Sequence, residues 1–479
     1  MHPSWTWATL AALTLGLAAC GGDGGDDDDG ITAATRGDVL SGPTVTANFA
    51  SAADVQAALG ASASGIQLMA LGGAPNCGVR LASIEYSTID GQGASTNGTT
   101  AVMLPQGSDA ACTGARPVLL YAHGTSADRN YNLASPQNGE AALVMAMFAS
   151  QGFIVVAPNY VGYGASTAGV HPYLNAEQQS SDMLDALRAA RTSFAGLGIT
   201  DSGQLLVSGY SQGGHVAMAT ARAIESGSYG AEFALTASGP MSGPYALSSM
   251  LRTVFSGGVN LGATAFTPLL MTSWQQAYGN LYSQPSDAYE AAYASASEGV
   301  LPSTTSTAEL LQTGQLAPYL FDSDPLVTGT AMDAVFAAGI GTPNLIRTSY
   351  RQAALADAAH PLWAAAARND LLNWTPTRPM ALCYGAQDPV VFGSNSTAAT
   401  TYFEAAAPGV VTRMNVEDAS TVGDTLATAF AQTVQATAAT GSDSASAAQA
   451  VLSAYHGSLV PPFCAVAVRS FFQQVMAAP

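Results

Sequence analysis

Apolar positions along this chain follow two rhythms. Short, wholly apolar runs recur at Pro117–Ala122, Phe153–Ala157, Leu205–Val207, Phe233–Ser238, Met380–Tyr384 and Val410–Val416. Between some of these runs the spacing becomes helical. In Glu177–Phe194 the apolar side chains are Met183, Leu184, Leu187, Ala190 and Phe194, and Asn175 with Gln178 forms a capping signature. Gln212–Glu225 reads as an Ala-rich helix, and Ser51–Gly60 as a short helix with Ser51 at its N-cap. Val79–Ile89 and Thr99–Leu104 surround a Gly-rich turn and predict a hairpin. Strands apolar on both faces and alternating with helices predict an α/β fold whose mostly parallel sheet carries helices on both faces.

The alternation stops between Pro240 and Thr377. There Trp274, Tyr278, Tyr282, Tyr289, Tyr293, Phe321, Phe336 and Trp363 lie in Ala-rich helical stretches. Residues 240–377 are therefore expected to form a helical lid or cap inserted over one end of the sheet. The core is expected in two parts, 46–239 and 378–479.

The N-terminus reads as an export signal. Trp5–Ala19 is apolar, too short for a membrane span and right for a signal h-region, so residues 1–19 are expected to be a signal peptide. Leu17-Ala18-Ala19-Cys20 resembles the bacterial lipoprotein box, although no Arg or Lys precedes it. The resemblance implies cleavage before Cys20 and a lipid on its thiol, hence a membrane anchor in the bacterial envelope, with plain secretion as the alternative. Residues 20–45, with the run Asp26–Asp29, read as a Gly/Asp-rich tether.

Composition narrows the function classes. The chain of 479 residues is 48% hydrophobic and only 10% charged, with a net charge of -19. Asp23 and Asp26–Asp29 contribute part of that charge. All 14 basic residues are Arg. An acidic chain without a basic patch is a poor nucleic-acid binder. A chain without Lys cannot run Schiff-base or Ser–Lys chemistry.

Five cysteines occur. With Cys20 lipidated, four remain, an even number in an exported protein, and three pairings are open to them. Cys77–Cys112 would tie the two ends of the hairpin. Cys383–Cys464 would brace two loops of chemical interest, described next. No spacing suggests a zinc site, and no cofactor is expected.

Gly209-Tyr210-Ser211-Gln212-Gly213 is G-x-S-x-G, set after a strand and before a helix. That context fits a nucleophile elbow, in which a sharp turn exposes Ser211 and the helix N-terminus aims free N–H groups at a forming oxyanion. An activated Ser needs a base, and the base needs an acid, in the chain order Ser, acid, His. His456 in Tyr455-His456-Gly457 is the candidate base, on a loop after a helix. His360 is the other histidine well beyond Ser211. His215, on the helix after Ser211, reads as a packing residue, and His171 as part of a surface loop, with a place lining the pocket as the alternative. Asp388, just past Met380–Tyr384, is the candidate acid, with Asp418 second. The oxyanion hole would combine the N–H groups of Gln212 and Thr125. Thr125 follows Tyr121-Ala122-His123-Gly124, where Gly124 permits close approach and His123 is structural.

These motifs resemble the α/β-hydrolases and, within them, the secretory lipase family. They are His123-Gly124, Gly209 to Gly214, Gly385 to Asp388 and His456-Gly457, with Pro158 to Gly164 as a further likeness. The resemblance covers roughly residues 75–475. It implies the α/β-hydrolase fold, a helical lid, and lipase or esterase activity on an ester or lipid substrate. A serine peptidase or amidase of the same fold is the alternative, and a non-catalytic surface binding protein a more distant one. Acyl-chain length and oligomeric state are not written in these motifs.

Overall fold

The computed structural model describes residues 35–227, 229–230, 232–323 and 339–478. The expected signal peptide, the lipidation site Cys20 and the Asp run lie outside the described residues.

Nine strands form one sheet: β1 (Val39–Phe49), β2 (Gly78–Ile89), β3 (Ser95–Gln106), β4 (Ala115–Ala122), β5 (Ile154–Pro158), β6 (Thr200–Tyr210), β7 (Leu235–Met241), β8 (Met380–Tyr384) and β9 (Val411–Asn415). Their order is β1-β2-β3-β5-β4-β6-β7-β8-β9. The first three strands pair antiparallel and β3 meets β5 antiparallel. All later pairs are parallel. This is the α/β sheet read from the sequence, with helices on both faces.

Seven helices matter for the site: α1 (Ala52–Gly60), α2 (Ala63–Gly72), α3 (Gly139–Met147), α4 (Ala176–Phe194), α5 (Gln212–Glu225), α6 (Leu247–Phe255) and α7 (Ala263–Tyr278). Side chains of α4 and α5, such as Leu184, Leu187, Val216 and Ile224, pack with Val118, Leu120 and Val207 on one face of the sheet. Side chains of α2, α3 and the terminal helix Val460–Ala477 pack with Leu119, Tyr121 and Leu206 on the other. Strands β4, β5 and β8 are buried along most or all of their length because both faces are covered.

Residues 242–379 add no strand to the sheet among the described residues. They have a hydrophobic core of their own, built around Trp274, Tyr289, Phe321, Ile346 and Trp363. Leu174 of the core chain joins that cluster, and its carbonyl accepts from the Trp274 indole at 3.2 Å. The helical segment is therefore fastened to the sheet domain through the loop that precedes α4.

Two elements differ from the sequence reading. Strand β1 begins at Val39, inside the stretch assigned to the tether, because as an edge strand it is largely exposed and shows no apolar run. His456 lies not on a loop but in a π-helical turn, Tyr455–Leu459. That turn joins the helix Ser444–Ala454 to Val460–Ala477. Gly457 followed by Pro461 and Pro462 reads as a chain break, yet prolines at the start of a helix lose no internal bond.

Two disulfides are formed, Cys77–Cys112 and Cys383–Cys464. The first links the start of β2 to the turn before β4. The second ties β8 to the terminal helix beside the His456 turn.

Candidate active site

Strand β6 ends in the turn that places Ser211 at the N-terminus of α5. Ser211 has φ 60° and ψ -120°, a conformation that a side chain rarely adopts. Its N–H donates to Met241 O of β7 at 2.9 Å, which pins the turn across the sheet. Glycine is required on both sides by crowding. A Cβ at Gly209 would lie 2.4 Å from Ala122 O, and one at Gly213 would lie 1.9 Å from the same oxygen. A Cβ at Gly214 would lie 2.3 Å from Met241 O. Any larger residue would push α5 off β4 or β7.

Three side chains from distant parts of the sequence meet above this turn. Ser211 Oγ lies 2.7 Å from His456 Nε2. His456 Nδ1 lies 2.6 Å from Asp388 Oδ2. The other Asp388 oxygen accepts the N–H groups of Val390 and Val391 at 2.9 and 3.0 Å. The carboxylate is 4% exposed, so these bonds stand in for water. With Nδ1–H donated to Asp388, Nε2 carries the lone pair that can accept the Ser211 proton. Tyr210 fixes the turn from below, its hydroxyl donating to His456 O at 2.7 Å. Tyr455 donates to Glu417 in a short contact, and Glu417 accepts Gln387 N–H at 3.1 Å. The His456 turn and the Asp388 loop are thus joined by this link as well as by Cys383–Cys464.

Gln212 and Thr125, the expected oxyanion donors, both line a cavity that Ser211 also lines. Gln212 N–H belongs to the first turn of α5, where a helix has no internal acceptor. At the loop after β4, Gly124 N–H is taken by Glu140 at 3.0 Å, while Thr125 N–H has no acceptor among the described residues. Glu140 also accepts from Tyr121 and Tyr131 at 2.9 and 2.6 Å, so this carboxylate fixes the loop.

The other histidines have different surroundings. His123 is buried between Gly124 O and Asn159 O and stacked on Tyr160, and burial lowers its pKa. His215 is buried, its Nε2 bonded to Asn369 O at 2.9 Å, with its pKa pushed down to about 4 by burial. His360 caps the helix Pro361–Asn369, and Asp418 caps Ala419–Val422. Neither reaches Ser211. His171 is not a surface residue, as the sequence suggested, but only 1% exposed. Its Nδ1 bonds to Val161 O at 2.9 Å and its Nε2 accepts from the Gln212 side-chain amide at 2.7 Å. Burial pushes its pKa down to about 3, so it is neutral and free to accept. Next to it, Tyr173 shares a 2.9 Å hydroxyl bond with Thr125 Oγ1. The sequence marked these residues only by their place after an aromatic, Gly-rich loop.

Ser211 opens onto two cavities. One, of about 60 Å³, runs between α6 and α7 and is lined by Leu247, Met250, Leu251, Phe266, Leu270 and other apolar side chains. The other, of about 470 Å³, lies between α2, α3 and the His456 turn. No group of three or more metal-ligating side chains occurs among the described residues.

Comparisons with known proteins bear on the fold and the enzyme class. Residues 132–259, which contain Ser211, match the secretory lipase family. The rice cell wall degrading esterase LipA from Xanthomonas oryzae is 26% identical, with a TM-score of 0.70 over 92% of this chain and 99% of that one. The chain has the α/β-hydrolase fold and resembles secretory lipases. The hydrolase shares its fold with a protein from Legionella pneumophila described as a hydrolase, at 19% identity and a TM-score of 0.67 over 92% of this chain and 99% of that one. Candida antarctica lipase A in its closed state is 12% identical, with a TM-score of 0.51 over 79% of this chain and 76% of that one. No curated protein matches the sequence. The family and structural matches support an ester-hydrolysing enzyme, and two disulfides are compatible with an oxidising compartment.

Proposed function

We propose that the hydrolase cleaves carboxylic esters through an acyl-enzyme intermediate on Ser211. One observation carries this reading. The unbroken chain Ser211 Oγ, His456 Nε2, His456 Nδ1, Asp388 Oδ2 has steps of 2.7 and 2.6 Å, and its Ser211 lines an apolar cavity. Ser211 Oγ attacks the ester carbonyl as His456 Nε2 takes its proton. Asp388 holds the ring and stabilises the imidazolium. The carbonyl oxygen becomes an oxyanion held by the N–H groups of Gln212 and Thr125, each donor contributing roughly 3–4 kcal/mol. His456 then returns the proton to the leaving alcohol. Water repeats the sequence on the acyl-enzyme, releasing the acid and restoring Ser211.

Residues 240–377 are read as the lid over the site, on the strength of α6 and α7 forming the walls of the apolar cavity. The Leu17 to Cys20 motif supports a lipid anchor on the mature chain. The test is a panel of acyl esters beside aminoacyl amides, run on the hydrolase and on Ser211→Ala. Ester turnover that vanishes in Ser211→Ala supports the reading, and preferential amide cleavage would replace it with a peptidase.

A further inference from the structure

The two cavities at Ser211 differ in which catalytic partner they contain. His456 lines the wider cleft and not the apolar cavity, whereas Gln212 lines the apolar cavity and not the cleft. In ester cleavage the proton taken by His456 must go to the alcohol oxygen as its bond to the carbonyl carbon breaks. The alcohol must therefore leave on the His456 side. The acyl chain, which stays bonded to Ser211, extends the other way.

We infer that the cleft between α2, α3 and the His456 turn is the binding arm for the alcohol half of the ester, and that it takes a bulky, amphipathic, uncharged alcohol. This rests on the roles proposed above for Ser211 and His456. The cleft has an apolar floor of Leu68, Leu143 and Pro462 and a polar rim of Ser64, Gln67 and Ser458. An alcohol with a hydrophobic face and several hydroxyl groups matches floor and rim together. No arginine lines the cleft, and its one acidic side chain is Glu140. Glu140 cannot turn away, because Gly124 N–H, Tyr121 and Tyr131 all donate to it. A phosphate or carboxylate on the alcohol would meet this fixed negative charge with no cation to balance it.

The experiment compares kcat/KM for three esters of one fatty acid: the ethyl ester, a glycerol or hexitol ester, and the ester of an alcohol bearing a carboxylate. The wild type is expected to favour the hydroxylated alcohol and disfavour the anionic one. Gln67→Trp, an exposed position on α2, should lower the hydroxylated-to-ethyl ratio by about tenfold. Gln67→Arg should raise the anionic-to-ethyl ratio by a similar factor. Met250→Trp, in the apolar cavity, should instead shift the preferred acyl length to shorter chains at a constant alcohol ratio. If Gln67→Trp alters acyl length, or alters neither ratio, the assignment of the arms is wrong. Ester turnover retained in Ser211→Ala would overturn the underlying reading instead, so the two failures are distinct.

Discussion

The Gln212 side-chain amide donates to Nε2 of the buried His171 at 2.7 Å, so the residue proposed as an oxyanion donor is itself held by a neutral imidazole. Tyr173, two residues on, does the same for Thr125 through their hydroxyls. His171 is thus a positioning residue. His171→Phe removes the acceptor and leaves the Gln212 amide unpaired. We expect kcat to fall about 10- to 100-fold, less than loss of a whole donor, with KM nearly constant. His171→Gln, whose amide oxygen can accept in the same place, should recover part of kcat. A change confined to thermal stability, or to KM, would show that His171 only fills space.

Asp388 orients His456 and is fastened by Val390 and Val391. In Asp388→Asn the amide can present N–H where an acceptor is needed, favouring the wrong tautomer. A drop in kcat of about 10⁴-fold is expected with the fold intact. Asp418→Asn, at an exposed helix cap, should leave kcat alone. Steady-state kinetics on both variants decide which carboxylate serves His456.

The disulfides should separate stability from catalysis. Serine replacement of either pair is expected to cost about 2–5 kcal/mol in denaturant unfolding, since both close long loops of the unfolded chain. Only the Cys383–Cys464 pair joins the Asp388 and His456 segments. Its loss should also lower kcat at temperatures where the chain is still folded, whereas loss of Cys77–Cys112 should not.

His215 gives a pH prediction. Its pKa is near 6.5 when unfolded and about 4 in the buried site. Between those values the unfolded chain binds the extra proton, so stability falls as pH drops from about 6.5 toward 4. The loss approaches about 1.4 kcal/mol per pH unit. His215→Gln keeps a donor for Asn369 O and removes the titration. The gap in unfolding free energy between wild type and variant should change by that slope from pH 6 to pH 4. Parallel curves would contradict a neutral buried His215.

Much of this was legible in the sequence, and the parts that were not share a physical cause. Fully buried strands such as Met380–Tyr384 announce themselves because both faces must be apolar. Strand β1 did not, since an exposed edge strand needs no apolar run. Helix α2, which supplies Gln67 to the cleft, starts and ends in Gly-containing sequence that looks like a turn. The elbow was readable because its glycines are dictated by backbone crowding at Ala122 O. The place of His171 was not, because its burial depends on how a long loop folds back over α5. Nor do Gly457 and two prolines betray a π turn that joins the helix Ser444–Ala454 to Val460–Ala477.

The central claim is that Ser211 is the nucleophile, and a fluorophosphonate probe tests it most directly. The account predicts one labelled peptide, containing Ser211. The label should be lost in Ser211→Ala, together with ester hydrolysis, and strongly slowed in His456→Ala. Labelling elsewhere, or turnover that survives Ser211→Ala, would contradict it.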